Sequence, residues 1–187
     1  MRSRPETADN ILPRIKAKDV FGKTIEFKKL DSEYILLVFL RYAGCPWCNL
    51  AIHRLTLEYK ELTANKCEVV AFVQSDTKSI LKNIYERHDP KPPFSIIPDS
   101  EMVFYKMYDV KPSVAGFVRG LTKIPEWLKA HNELGFKQKE VDGSFFMVPG
   151  WFLYSNRTNK IVKQERGISL HSHEAFLDIY ESLYFKD

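Results

Sequence analysis

Residues 34–40, Tyr-Ile-Leu-Leu-Val-Phe-Leu, are apolar at every position. An unbroken run of this length predicts a strand covered on both faces, central in a sheet. Residues 67–74 carry a second such run, Glu-Val-Val-Ala-Phe-Val at its heart. Between the two the period changes. Cys48, Ala51, Ile52, Leu55, Tyr59 and Leu62 recur at three- and four-residue steps, which predicts a helix over 46–65 with one buried stripe. Pro46 suits its first turn, where the missing N–H costs nothing. Residues 15–18 and 24–27 flank Asp19-Val20-Phe21-Gly22 and predict a small hairpin.

Further on, Asp76 or Thr77 should cap a helix that runs to about His88, before Pro90, Pro92 and Pro93 break it. A short strand is predicted at 94–97, then a helix over 100–108 capped by Ser100. The segment 111–143 is the least regular. Val114, Phe117, Val118 and Leu121 suggest a short helix, and Pro125 and Gly135 bracket another containing Trp127, Leu128 and Leu134. Strands at 145–147, 151–154 and 160–163 and a closing helix over 172–184 complete the pattern. Alternating strands and helices imply an α/β domain with a mixed sheet flanked by helices, an N-terminal β-hairpin and a helical insertion. The length, 187 residues, fits one domain over 1–187, with 1–12 as an N-terminal arm and 111–143 as the insertion. The apolar load of that insertion predicts packing near the cysteines or at a dimer interface.

Composition narrows the function. With 28 basic and 24 acidic residues the net charge is only +4, too weak to make nucleic acid the expected partner. No apolar run approaches the roughly 20 residues of a membrane-spanning helix, so no membrane is expected either. Residues 1–10 are polar, and no secretory signal is expected there. Three cysteines, an odd number, then point to a reducing compartment, the cytoplasm.

The sharpest chemical signal is Gly44-Cys45-Pro46-Trp47-Cys48, placed where the first apolar strand turns into the helix. Cys45 falls in the N-cap region, where orphan N–H groups and the helix dipole favour a thiolate. Cys48, one turn on, can close a small disulfide ring with it. Cys48 also begins the buried stripe, so Cys45 is expected at the mouth as the attacking sulfur, with Cys48 behind it as the resolving one. Trp47, between them, is expected to be partly exposed. Cys67 starts a strand and reads as a small buried hydrophobe. His53, His88, His131, His171 and His173 lack the paired spacing of a zinc site, so neither metal nor cofactor is expected.

Residues 38–48, Val-Phe-Leu-Arg-Tyr-Ala-Gly-Cys-Pro-Trp-Cys, resemble the peroxiredoxin-like branch of the alkyl hydroperoxide reductase/thiol-specific antioxidant family. The resemblance continues through 94–110, 148–155 and 160–167. It implies a thioredoxin-like fold and an antioxidant thiol oxidoreductase. Cys45 and Cys48 would be the catalytic pair, the substrate a disulfide or hydroperoxide, and the reductant a thiol of thioredoxin or glutathione type. A homodimer is left open. Two departures matter. Peroxiredoxins carry Pro-x-x-x-Thr-x-x-Cys; without gaps, Arg41 falls on that Pro, Cys45 on that Thr and Cys48 on the peroxidatic Cys. They also carry a late-strand Arg where this chain has Pro149. Pro149 instead matches the cis-proline of thioredoxin-like oxidoreductases, which implies a cis Val148–Pro149 bond holding the Val148 backbone toward the cysteines. Arg41, Trp47, Val148 and Pro149 are the expected substrate-positioning residues. The two registers name different attacking sulfurs, Cys45 or Cys48; the burial stripe favours Cys45. The alternatives are a thiol peroxidase acting through either cysteine, and a redox-sensing binding module without turnover.

Overall fold

The computed structural model describes residues 15–120 and 128–166. Its centre is β3 (Tyr34–Phe39), the apolar run singled out by its pattern. β3 pairs in parallel with β4 (Cys67–Val73) and antiparallel with β6 (Gly150–Ser155). β5 (Ser95–Pro98) adds in parallel beside β4, and β7 (Lys160–Arg166) closes the far edge beside β6, giving a mixed five-stranded sheet in the order β5-β4-β3-β6-β7. A second, two-stranded sheet is the hairpin of β1 (Lys16–Lys18) and β2 (Thr24–Glu26).

The unbroken hydrophobicity of β3 follows from its having two cores to fill. Leu36, Val38 and Leu40 face α1 (Pro46–Ala64), together with Ala51, Ile52, Leu55 and Leu62 of the helical stripe. Ile35, Leu37 and Phe39 face the other layer, which holds Ile25 and Phe27 of the hairpin region and Tyr105 of α3 (Val103–Met107). There Phe39 stacks on Phe72 with centroids 4.6 Å apart and meets Phe152 edge-on at 5.6 Å. Each such buried side chain contributes about 1.5–3 kcal/mol, so the strand is held from both sides. Among the described residues no helix is long and apolar enough to cross a membrane.

Several elements differ from expectation. α2 (Thr77–Ile80) is capped by Asp76, whose side chain accepts from the Ser79 N–H at 2.7 Å, but continues as a π-turn over Leu81–Tyr85. α3 begins only at Val103. Its cap is not Ser100 but the Asp99 carboxylate, which accepts from the N–H groups of Val103 and Phe104, both at 2.8 Å. A carboxylate able to satisfy several orphan donors wins over a hydroxyl. Residues 145–147 are not a strand; they make a single bridge, Met147 to Pro112. In 111–143 the described helices are α4 (Val114–Gly120) and a π-helical turn, Lys129–Glu133, followed by Gly135 at φ 69°. From there residues 136–147 run as an irregular strap. The N-terminal arm, Leu121, Pro125, Trp127, His171, His173 and the closing helix over 172–184 lie outside the described residues.

Candidate active site

The Cys-x-x-Cys segment leaves the end of β3 and enters α1. Pairing with β4 persists past the strand: Leu40 N–H donates to Phe72 O, and Gln74 N–H donates to Arg41 O, both at 2.9 Å. Cys45 is the N-cap of α1, in extended conformation, and Pro46 is the first helical residue. The turn ahead of the helix is pinned on all sides. Cys45 N–H donates to Tyr42 O at 3.1 Å, and Lys139 N–H donates to Gly44 O at 3.0 Å. Ala43 N–H donates to Ser75 Oγ at 2.9 Å, and that hydroxyl donates to Asp142 Oδ1, also at 2.9 Å.

Cys45 and Cys48 are free thiols in direct side-chain contact. Both are buried, Cys45 at 0% exposure and Cys48 at 1%. The expectation of Cys45 at an open mouth is therefore corrected. The strap lies across the end of α1, so close to Gly44 that a Cβ there would come within 2.7 Å of Glu140 O and 2.9 Å of Lys139 Cβ. Ser144 N–H fastens the strap again, donating to Gln74 Oε1 at 2.9 Å.

Arg41 organises the two sulfurs. Its main-chain N–H donates to Cys48 Sγ at 3.3 Å, and its Nη1 donates to Cys45 Sγ at 3.6 Å. Its Nη2 donates to the strap carbonyl of Phe145. The guanidinium is 1% exposed, among the rings of Tyr42, Phe117 and Phe145 at 5.1, 5.4 and 5.5 Å, and its Nε has no hydrogen-bond partner. Burial alone pushes the Cys45 thiol up. The Cys48 hydrogen bond, the Arg41 charge and the N–H groups of Cys48 and Trp47 outweigh burial and hold it well below its ordinary value, although no cap hydrogen bond to the sulfur forms. Burial, then the hydrogen bond and charge of Cys45, push Cys48 well above its ordinary value. Cys45 therefore ionises first. Tyr42, beside the pair, is pushed up to about 12, chiefly by burial and then by Cys45. Cys67 lies at the opposite end of the sheet, opposite Tyr34, with burial pushing it to about 12.

Trp47 is half-buried and packs against the core that holds both cysteines. Val148 and Pro149 are buried just ahead of Gly150, which pairs with Phe39 at the end of β3. The Val148–Pro149 bond is trans; among the described residues the cis X–Pro bond is Asp89–Pro90. Pro149 sits immediately before the strand, where a trans proline is tolerated because no ladder N–H is needed. Among the described residues no three His, Cys, Asp or Glu side chains gather as metal ligands. Sequence reasoning missed Asn49, Ser75, His88 and Phe145. Only Asn49 carried a local signal, as an amide beside the first residue of a buried helical stripe.

The family model of AhpC/TSA matches residues 8–126. The chain belongs to the AhpC/TSA family. A search of curated protein sequences finds no significant match. Among solved structures, this AhpC/TSA chain is similar to a Cys-to-Ser variant of peroxiredoxin Q from Xanthomonas campestris, at TM-score 0.64 and 13% identity, covering 92% of this chain and 93% of that one. It is also similar to the peroxidoxin BcpB of Mycobacterium tuberculosis, at TM-score 0.62 and 13% identity over 92% and 94%. A secreted disulfide oxidoreductase of the same bacterium matches at TM-score 0.54 and 14% identity over 85% and 87%. The fold is thioredoxin-like, as the family resemblance implied.

Proposed function

We propose that this AhpC/TSA protein is a two-cysteine thiol peroxidase that works through a reversible Cys45–Cys48 disulfide. The observation that carries the reading is the buried contact of the Arg41 guanidinium with Cys45 Sγ. The Cys45 thiolate attacks one oxygen of a hydroperoxide. The O–O bond breaks, and the alkoxide takes a proton and leaves as the alcohol, with Cys45 oxidised to sulfenic acid. Arg41 offsets the charge that develops on the departing oxygen. Cys48 sulfur then attacks the sulfenic sulfur, water leaves with the Cys48 proton, and the disulfide closes. A thioredoxin-type dithiol, or two glutathione-type thiols, supplies two electrons and two protons to restore both thiols and is itself oxidised to a disulfide. We assign the protein to the cytoplasm, where such thiols are maintained. Arg41 here takes the part of the late-strand arginine whose place Pro149 holds.

Disulfide exchange is the second reading, favoured by the Pro-Trp dipeptide and the N-cap position of Cys45. Both readings require the strap to leave Gly44, because a sulfur at 0% exposure is closed to hydroperoxide, reductant and protein disulfide alike; a protein disulfide needs the wider opening. Peroxide consumption driven by a dithiol, run beside reduction of insulin disulfides, separates the two. Rapid peroxide turnover with slow insulin reduction is expected, and one equivalent of peroxide should convert the protein to the Cys45–Cys48 disulfide by mass mapping. Fast insulin reduction without peroxide turnover would replace the first reading with the second. Inactivity in both would leave a sensing module.

A further inference from the structure

Asn49 is fully buried in the first turn of α1. Its Nδ2 donates to Ala43 O at 2.8 Å and to Cys45 O at 3.0 Å, so both amide hydrogens go to the turn that carries Cys45. Cys45 O also accepts the first helical bond, from Asn49 N–H at 3.0 Å. With Nδ2 committed as donor, Oδ1 must accept, and His88 Nε2 lies 2.9 Å from it. That contact fixes the proton of His88 on Nε2. Burial first, then the charges of His53, Arg87 and Lys91, hold the His88 pKa down to about 3, so the ring is neutral. The ring stacks on Phe136, at the start of the strap, with centroids 4.6 Å apart.

We infer that Asn49, oriented by His88, is a positioning residue for Cys45: its amide holds the Ala43 and Cys45 carbonyls and keeps the sulfur facing Arg41. The physical case is electrostatic as well as geometric. A carbonyl oxygen carries a partial negative charge, and in a dry site nothing dilutes its repulsion of a nearby thiolate. The Cys45 carbonyl belongs to the same residue as the sulfur. A donor on that oxygen draws its charge away, and the second hydrogen of the same amide, donated to Ala43 O two residues upstream, stops the turn from rotating it back. Asn49 acts through Cys45 and touches no substrate. The bond to Ala43 O, outside the helix, is what ties the amide to the turn.

The inference rests on Cys45 being the attacking sulfur, and the test separates the two claims. In the Cys48→Ser protein, thiolate absorbance is followed against pH, with and without Asn49→Ala. Thr56→Val is the control: it removes the Thr56 Oγ1 donation to Ile52 O at 2.8 Å, a buried bond on the same helix that does not touch the turn. Asn49→Ala should raise the midpoint of Cys45 by about one pH unit, a roughly tenfold loss of thiolate on the acid side, while Thr56→Val leaves it in place. His88→Phe, which keeps the ring but loses the N–H, should shift it the same way by less, and it stands in if Asn49→Ala does not fold. An unmoved midpoint in both Asn49→Ala and His88→Phe, or an equal shift in Thr56→Val, overturns the inference. An ordinary thiol midpoint in the Cys48→Ser parent overturns the reading of Cys45 itself, and this inference with it.

Discussion

Arg41 Nη1 donates to Cys45 Sγ at 3.6 Å, whereas Cys48 Sγ receives only the main-chain N–H of the same arginine, at 3.3 Å. One residue therefore hydrogen-bonds one sulfur through its charged guanidinium and the other through a neutral main-chain dipole. No carboxylate pairs with this guanidinium among the described residues, so the Cys45 thiolate is its available counter-ion. A buried cation without an anion is costly, and the cost falls when Cys45 ionises.

Replacing Arg41 by Met should remove that coupling. The Cys45 midpoint should rise toward the free-thiol value of about 8.5, and peroxide consumption should fall by at least about tenfold. Arg41→Lys should recover only part of the loss, since an ammonium cannot reach both Cys45 Sγ and Phe145 O with a planar fork. Thiolate absorbance and steady-state peroxide assays check both variants.

The cysteines should separate in reactivity. Cys48→Ser, which keeps Cys45, should alkylate rapidly below about pH 8.5, and Cys45→Ser should react slowly across that range. Iodoacetamide rates against pH measure this. The reverse order would make Cys48 the nucleophile, in the peroxidatic register.

His88 gives the fold an acid limit. Its pKa is held down to about 3 in the folded chain, mainly by burial, against about 6.5 in an unfolded one. The unfolded state then binds the proton first, so this stability is fully present above about pH 6.5 and is lost as pH falls from there toward 3, by at most about 1.4 kcal/mol per pH unit. His53, also lowered by burial, acts in the same direction. Urea melts should show a shallower slope between pH 6.5 and 5 in His88→Phe than in the parent.

The strap should control access. Ser75→Ala removes the acceptor for Ala43 N–H and the donor to Asp142, at a cost of about 1–3 kcal/mol. In the Cys48→Ser background it should speed labelling of Cys45 by a bulky maleimide far more than by iodoacetamide. Equal acceleration of both reagents would mean general loosening of the fold.

The sheet and the helix were legible because their signals are local. The stripe from Cys48 to Leu62 and the all-apolar β3 report burial directly. Pro46 likewise marked the start of α1, one residue after the Cys45 cap. What was not legible depends on chain segments far apart. Cys45 sits at a helix start, which usually means access, but the strap residues Lys139 and Glu140 close over it, and nothing near position 45 encodes that. The direction of the Arg41 side chain has no local code either, because it is set by Phe117 and Phe145. Pro149 looked like a cis-proline by position alone, while strand pairing at Gly150 accommodates it in trans.

Gly44 does not lie in the left-handed region; what it requires is room, since a side chain would strike the backbone of Glu140. The Cys-x-x-Cys motif and the strap are thus complementary in shape at a single missing methyl group. Descendants of this chain can exchange residues on either segment only within that fit. A recombination that brought in a foreign strap, or a motif with any larger residue at 44, would pair surfaces shaped for other partners, so the two stretches are inherited as one unit.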